Sequence, residues 1–149
     1  MGIRVRHLPW IGVLILLLTG SGAWAGPKVK INIKTVLASQ SKKGVDGQLR
    51  AMTQELNSVF KYSSYQLLSK ERMVLNLNQT GRAKLPGNRA LTITPTRILG
   101  NRVELKLAIF QKKRQQFATV FQLLNHGSMI VGGPRHNKGH LLFNISGDY

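Results

Sequence analysis

Residues Arg102–Asn125, RVELKLAIFQKKRQQFATVFQLLN, have the clearest hairpin pattern in the chain, because two apolar alternations flank a basic run. Every second residue from Val103 to Ile109 is apolar, which is the period of a strand with one buried face. A turn over Lys112–Gln115 would return the chain through Phe117–Leu124. The sequence therefore predicts an antiparallel hairpin at this point.

The pairing within this hairpin follows from the choice of loop residues. A two-residue loop of Lys113 and Arg114 predicts three cross-strand pairs: Phe110 with Phe117, Ile109 with Ala118, and Leu107 with Val120. The same register predicts four large apolar residues on the second face of the hairpin: Phe110, Phe117, Phe121 and Leu123. Such a face would pack under a helix or against another sheet.

Strand patterns recur on both sides of the hairpin. The clearest is Lys28–Leu37, KVKINIKTVL, where apolar residues alternate with lysines and an asparagine. The other predicted strands are Tyr65–Ser69, Met73–Asn78, Ala90–Thr94, Ser128–Val131 and His140–Ser146. Turn signals separate them at Thr80-Gly81, Leu85–Asn88, Gly100-Asn101, His126-Gly127 and Asn137–Gly139, and Pro95 marks a strand end or an edge position.

One segment changes to a helical period. In Gln48–Phe60 the apolar residues fall at spacings of three and four: Leu49, Met52, Leu56, Val59 and Phe60. Asp46 just before them is a candidate N-cap. The predicted fold class is α+β, with a mostly antiparallel sheet of seven or eight short strands, in a sandwich or partial barrel, packed with one amphipathic helix at about 47–61.

The first 25 residues have the layout of a secretory signal peptide. Arg4 and Arg6 precede the apolar run Trp10–Leu18, and Ala23-Trp24-Ala25 supplies small residues before a cut at Gly26. The run is shorter than the roughly 20 apolar residues of a membrane helix. We expect residues 1–25 to be a signal peptide and residues 26–149 a single β-rich domain, although an uncleaved N-terminal anchor is the alternative.

Cysteine content and charge narrow the class of protein. The chain has no cysteine, so disulfides and a lipid-modified cysteine are both excluded, which is typical of a bacterial envelope protein stabilised by its core. Its formal net charge is +17, with 22 basic against 5 acidic residues. Such a charge attracts polyanions by Coulomb attraction and counterion release, although a solubility requirement alone would also produce it.

Candidate catalytic and metal-binding groups are sparse. The five acids are Asp46, Glu55, Glu71, Glu104 and Asp148, and no two sit at a spacing that makes a pair on one element. The chain lacks a nucleophile elbow, a phosphate-binding loop and a zinc-protease motif. His136 and His140 are weak metal candidates because Gly139 and a turn interrupt the helix that would align them. The sequence predicts no enzyme, no cofactor and no metal.

The segment Phe121–Pro134, FQLLNHGSMIVGGP, contains three glycines between two short apolar runs. Its Gly132-Gly133-Pro134 step predicts a sharp turn or a bulge at the end of a strand. Through Gly127, Gly132 and Gly133 the segment resembles a hairpin near the end of bacterial secretins, the outer-membrane channels of secretion and pilus systems. The resemblance covers this hairpin alone, and Pro134 stands where secretins usually carry an apolar residue, so it assigns no family.

Basic residues form the candidate site. The predicted anion-binding residues are Lys28, Lys30, Lys112, Lys113, Arg114, Arg135 and Lys138. Further basic residues lie at Lys34 in the first strand and at Lys42 and Lys43 in a loop. The alternative is that these side chains protect strand edges and keep the protein soluble. Few aromatic residues are free to stack on bases, and no nucleic-acid-binding motif is present, so we expect no specific nucleic-acid partner.

The function predicted from these patterns is non-catalytic. We expect an exported periplasmic or extracellular protein that uses a basic surface to bind an acidic protein or a polyanionic polymer of a bacterial envelope, without a transmembrane span after signal cleavage. A second hypothesis is a structural accessory subunit that docks on a secretion, pilus or surface complex through its strand edges. A third, weaker hypothesis is a small periplasmic hydrolase.

Overall fold

The computed structural model of the protein describes residues 26–41 and 44–149; the predicted signal peptide and both Lys42 and Lys43 lie outside them. The described residues form eight strands: β1 Lys28–Ser39, β2 Ser64–Asn76, β3 Gly81–Leu85, β4 Arg89–Leu99, β5 Arg102–Gln111, β6 Arg114–Leu124, β7 Ser128–His136 and β8 Gly139–Asp148. A 3-10 turn, Gly47–Met52, continues into one short helix, α1, Thr53–Val59.

The strands form two four-stranded antiparallel sheets. Sheet A has the order β2-β1-β8-β7 and sheet B the order β3-β4-β5-β6. Both contribute to one core, where the most deeply buried side chains include Ile31 and Phe143 from sheet A and Leu91 and Leu105 from sheet B. The predicted mostly antiparallel sheet with one short helix is therefore confirmed, and the described strands do not close into a barrel.

The helical segment covers part of the outer face of sheet A. Leu49 and Leu56 are buried against Val36 and Leu142, in a second apolar cluster on that side of the sheet. The predicted N-cap is confirmed, because the Asp46 carboxylate accepts a hydrogen bond of 3.0 Å from the backbone of the 3-10 turn. The predicted stripe is only partly buried, since its member Val59 is 64% exposed. No helix in the described ranges is long and apolar enough to cross a membrane.

The predicted register of the central hairpin is wrong by two residues at the tip and by one residue beyond the bulge. The two-residue loop is Lys112-Lys113, not Lys113-Arg114, and a bulge follows Ile109. The observed pairs are Phe110 with Gln115, Ile109 with Phe117, Ala108 with Ala118, Leu107 with Thr119 and Lys106 with Val120. The shift turns Phe117, Phe121 and Leu123 to the core, because one residue of slip exchanges the two faces of a strand.

Other strands also differ from the prediction. The two predicted strands, Tyr65–Ser69 and Met73–Asn78, form one continuous strand at the edge of sheet A. The charged residues between them do not interrupt it, because their side chains alternate between the two faces of the strand. β3 lies where only turns were predicted. β4 continues through Pro95 with a bulge, since β3 pairs only as far as Ile93 and no partner on that side needs the missing N–H group.

The Gly132-Gly133-Pro134 step is a bulge within β7. The pairing with β8 shifts between Gly132 and Arg135, and the strand continues to His136 instead of ending. The two glycines differ: a Cβ at Gly132 would lie 3.9 Å from its nearest neighbour, but one at Gly133 would overlap the buried ring of Phe143. Gly133 thus permits the close approach of β7 to the core.

Candidate anion-binding surface

Three tight turns lie at one end of the two sheets. In sheet B the β3–β4 turn and the β5–β6 turn are neighbours, because Arg89 pairs with Gln111 and the Gln111 amide donates a 3.1 Å hydrogen bond to the Gly87 carbonyl. In sheet A the β7–β8 turn joins His136 to Gly139. Each turn carries basic residues, so the topology collects them at this end.

One hydrogen bond ties the two sheets together here. The Arg89 guanidinium donates from Nη1 to the Arg135 carbonyl across 2.9 Å. We call the six residues that the three turns bring together the basic end: Arg89, Lys112, Lys113, Arg114, Arg135 and Lys138. Five of them are exposed and Arg89 is half-buried.

Five of the seven predicted anion-binding residues lie in the basic end, and two do not. Lys28 pairs with Asn76 and Lys30 with Asp148, at the far end of sheet A. Sequence reasoning missed Arg89, although its position directly after the Leu85–Asn88 turn signal is the feature that could have found it.

The tip of the β5–β6 hairpin is held in an unfavourable backbone conformation. Lys112 and Lys113 both have positive φ, 48° and 66°, as the central residues of the two-residue turn. Glycine and asparagine are the residues that adopt this conformation readily, and lysine costs about 1–2 kcal/mol per residue there. The chain therefore carries two exposed ammonium groups at a position that does not favour lysine.

A small cavity opens beside the β7–β8 turn. Its volume is about 230 Å³, and Tyr62, Arg135, Lys138 and His140 contribute side chains to its lining. The Tyr62 hydroxyl and His140 Nδ1 are 2.8 Å apart in a hydrogen bond, which fixes the imidazole on the outer face of sheet A. One guanidinium residue and one ammonium residue thus line the same cavity.

The histidines do not assemble a metal site in the described part of the chain. His136 Nε2 lies 3.3 Å from the Asn137 amide, whereas His140 is bonded to Tyr62. No group of three or more histidine, aspartate or glutamate side chains among residues 26–41 and 44–149 is placed to hold a metal ion. Both histidines thus lie next to the basic end as polar neighbours.

The ion pairs of the described residues lie away from the basic end. Lys30 Nζ and Asp148 Oδ2 are 3.5 Å apart, and Arg97 Nη2 and Glu104 Oε2 are 2.8 Å apart. Hydrogen bonds from Arg97 and then Thr96 lower the pKa of Glu104 below its usual range. Since neither pair includes a basic-end residue, the positive charge of this end is not neutralised by the carboxylates in these two pairs.

No protein-family model matches the chain, and neither a curated protein nor a solved structure matches it significantly.

Proposed function

We propose that the protein is an exported, non-catalytic envelope protein that binds a polyanionic polymer through its basic end. The observation that carries this proposal is the position of six basic residues in or beside three turns at one end of the two sheets. Polymer anions attract such a cluster by releasing their condensed counterions, which requires no deep pocket. An acidic protein surface is negatively charged like the polymer and is the alternative partner.

Strain at the hairpin tip supports a binding role. A tip that served only to reverse the chain would be more stable with asparagine and glycine than with Lys112 and Lys113. Surface charge for solubility can be placed on any exposed strand position without this cost. Lysines at two left-handed positions are therefore better explained by a need for charge at this place.

Two rigid sheets would present the basic end. The Arg89–Arg135 bond joins the sheets directly at the proposed surface. We also propose that the helical segment acts as an amphipathic cover, with Leu49 and Leu56 shielding the outer face of sheet A beside it. Such a scaffold lowers the entropy lost when the charged side chains engage a ligand.

The scarcity of acids supports a non-catalytic role, since the chain has five Asp and Glu residues in 149. The five carboxylates lie on five different parts of the fold: Asp46 before the 3-10 turn, Glu55 in α1, Glu71 in β2, Glu104 in β5 and Asp148 in β8. General acid–base catalysis usually needs a positioned pair or a tuned histidine.

Docking through a strand edge is a second candidate function. β6 is an edge strand of 11 residues in sheet B, with a free edge of main-chain groups. Its Val120 and Leu124 are 58% and 49% exposed, and its charge is low beyond Arg114. An extended segment of a partner protein could add to this edge as a further strand.

Retention on heparin at increasing salt tests the first proposal. Residues 26–149 should bind heparin at low salt, and the double substitution Lys113→Glu with Arg114→Glu should elute at much lower salt than the wild type. Arg82→Glu with Lys106→Glu is the matched control, because it reverses the same charge on exposed positions of sheet B. Equal losses in both variants would show that net charge alone, and not the basic end, governs binding.

A further inference from the structure

A second group of cations lies on the outer face of sheet A, away from the basic end. Lys34 on β1 pairs directly with Lys70 on β2, and Asn32 pairs with Arg72 two residues along on the same face. Like charges directly opposite each other on a sheet destabilise it, so the Lys34–Lys70 pair costs stability. The chain could avoid this cost with any neutral polar residue at either position.

Two of these cations donate hydrogen bonds to neighbouring polar groups. Lys70 Nζ donates to Gln48 Oε1 across 2.6 Å, and Arg72 Nε donates to Asn32 Oδ1 across 2.9 Å. The bond to Asn32 leaves both terminal nitrogens of the Arg72 guanidinium available as donors. A guanidinium oriented in this way can donate hydrogen bonds to two oxygens of one oxyanion.

The three cations line a concave site on the outer face of sheet A, beside the edge of the helical segment. The helical segment covers β1 from Val36 onward, whereas Lys34 and the outward residues before it are not covered. The cavity at this edge has a volume of about 510 Å³ and is lined by Asn32, Ile33, Lys34, Lys70, Glu71, Arg72 and Ser146. That volume is much larger than one phosphate ion and lies in the range of small-molecule sites.

The positive charge of the lining residues indicates an anionic ligand. Three cations of the lining, Lys34, Lys70 and Arg72, share the outer face, whereas Glu71 pairs with the core residue Ile33 and alternates to the other face of β2. A phosphomonoester carries a charge of about −1.5 to −2 near neutral pH. The amide of Asn32 and the hydroxyl of Ser146 supply hydrogen-bonding groups suited to sugar hydroxyls in the remaining volume.

We infer that this cavity is a binding site for the phosphomonoester of a phosphorylated sugar. Arg72, Lys70 and Lys34 hold the phosphate oxygens, and the like-charge pair is relieved when the dianion lies between the two lysines. The site shares no residue with the basic end, so each can be tested without the other.

Calorimetric titration with glucose 6-phosphate, glucose 6-sulfate, inorganic phosphate and glucose tests the assignment. The sugar phosphate should bind the wild type best, the monoanionic sulfate ester several-fold more weakly, and glucose not measurably. Arg72→Gln should weaken the sugar phosphate about tenfold, as expected for loss of a charge-assisted bidentate contact. Arg82→Gln with Lys106→Gln, which removes exposed charge elsewhere, should leave the affinity unchanged.

Thermal unfolding separates a binding role from a structural one. Lys70→Gln should abolish the rise in midpoint that glucose 6-phosphate produces, while the midpoint without ligand stays equal to that of the wild type or increases. A lower midpoint without ligand would show that Lys70 is needed for the fold and would overturn the inference. So would equal affinities of wild type and Arg72→Gln, and equal affinity for inorganic phosphate would overturn the sugar assignment.

The two proposals fail in different ways. If glucose 6-phosphate does not bind while heparin retention still depends on Lys113 and Arg114, the inference about the sheet A cavity is wrong and the basic end stands. If heparin retention falls equally in every charge variant while Arg72→Gln still weakens sugar phosphate binding about tenfold, the proposal about the basic end is wrong and the inference about the sheet A cavity stands.

Discussion

Replacing the hairpin tip by its preferred turn residues should stabilise the protein and weaken its binding to polyanions. The variant is Lys112→Asn with Lys113→Gly, at the two positions with φ of 48° and 66°. Relief of two left-handed lysines is worth about 1–2 kcal/mol each. Asparagine retains part of that cost, and glycine loses about 0.5–1 kcal/mol more backbone entropy on folding. The expected net gain is about 1 kcal/mol, or roughly 4 °C in midpoint.

Two measurements on the same protein check this expectation. Thermal unfolding followed by circular dichroism should show the higher midpoint, and elution from heparin should move to lower salt. The control Arg82→Gln with Lys106→Gln removes the same charge without changing a turn, so its midpoint should change little and its elution should shift less. An unchanged or lower midpoint in the tip variant would refute the argument from strain. Unchanged elution would remove the tip from the binding surface.

Three further predictions concern stability. Gly133→Ala should lower the free energy of unfolding in urea by about 1–3 kcal/mol, because its Cβ would meet a backbone oxygen at 3.0 Å and a buried ring. The control Gly132→Ala should be neutral. Equal effects of the two substitutions would contradict the bulge geometry. Thr35→Val should raise that free energy by about 1–2 kcal/mol, since the buried Thr35 hydroxyl has no hydrogen-bond partner among the described residues; a lower urea midpoint would oppose this. Folding lowers the pKa of Glu104, so its ionised carboxylate stabilises the folded protein at pH values above its ordinary pKa of 4.5. This contribution is lost as the pH falls through the lowered pKa. Arg97→Gln should therefore reduce stability slightly near neutral pH, and the difference should vanish in acid; a difference independent of pH would exclude this pair as its cause.

The alternation of apolar residues predicted the elements better than their pairing. The period of two in Val103–Ile109 and in Lys28–Leu37 marks strands that the structure contains. The register of the hairpin could not be read from it, because a bulge after Ile109 and a loop of two left-handed lysines have no local signature in a run of basic residues. Pro95 lies within β4, beyond the last residue pair with β3, so the second of its two predicted positions, an edge position, agrees with the structure.

The candidate site depended on tertiary structure in the same way. The turns that carry Lys113, Arg135 and Lys138 lie at one end of the fold because β4 and β5 bring two turns of sheet B beside the end of β7. That neighbourhood is set by the strand order of two sheets, which composition and spacing do not encode. Lys28 was grouped with them by charge alone and lies at the other end.

The dependence of binding on salt tests the central claim most directly. The affinity of residues 26–149 for a fluorescent heparin fragment can be measured by anisotropy over a series of salt concentrations, for the wild type and for Lys113→Gln with Arg114→Gln. If the basic end binds polyanions, log affinity should fall linearly with log salt, and the slope should decrease by about one for each anionic contact removed in the variant. A slope near zero in the wild type, or the same slope in both proteins, would contradict binding of a polyanion by the basic end.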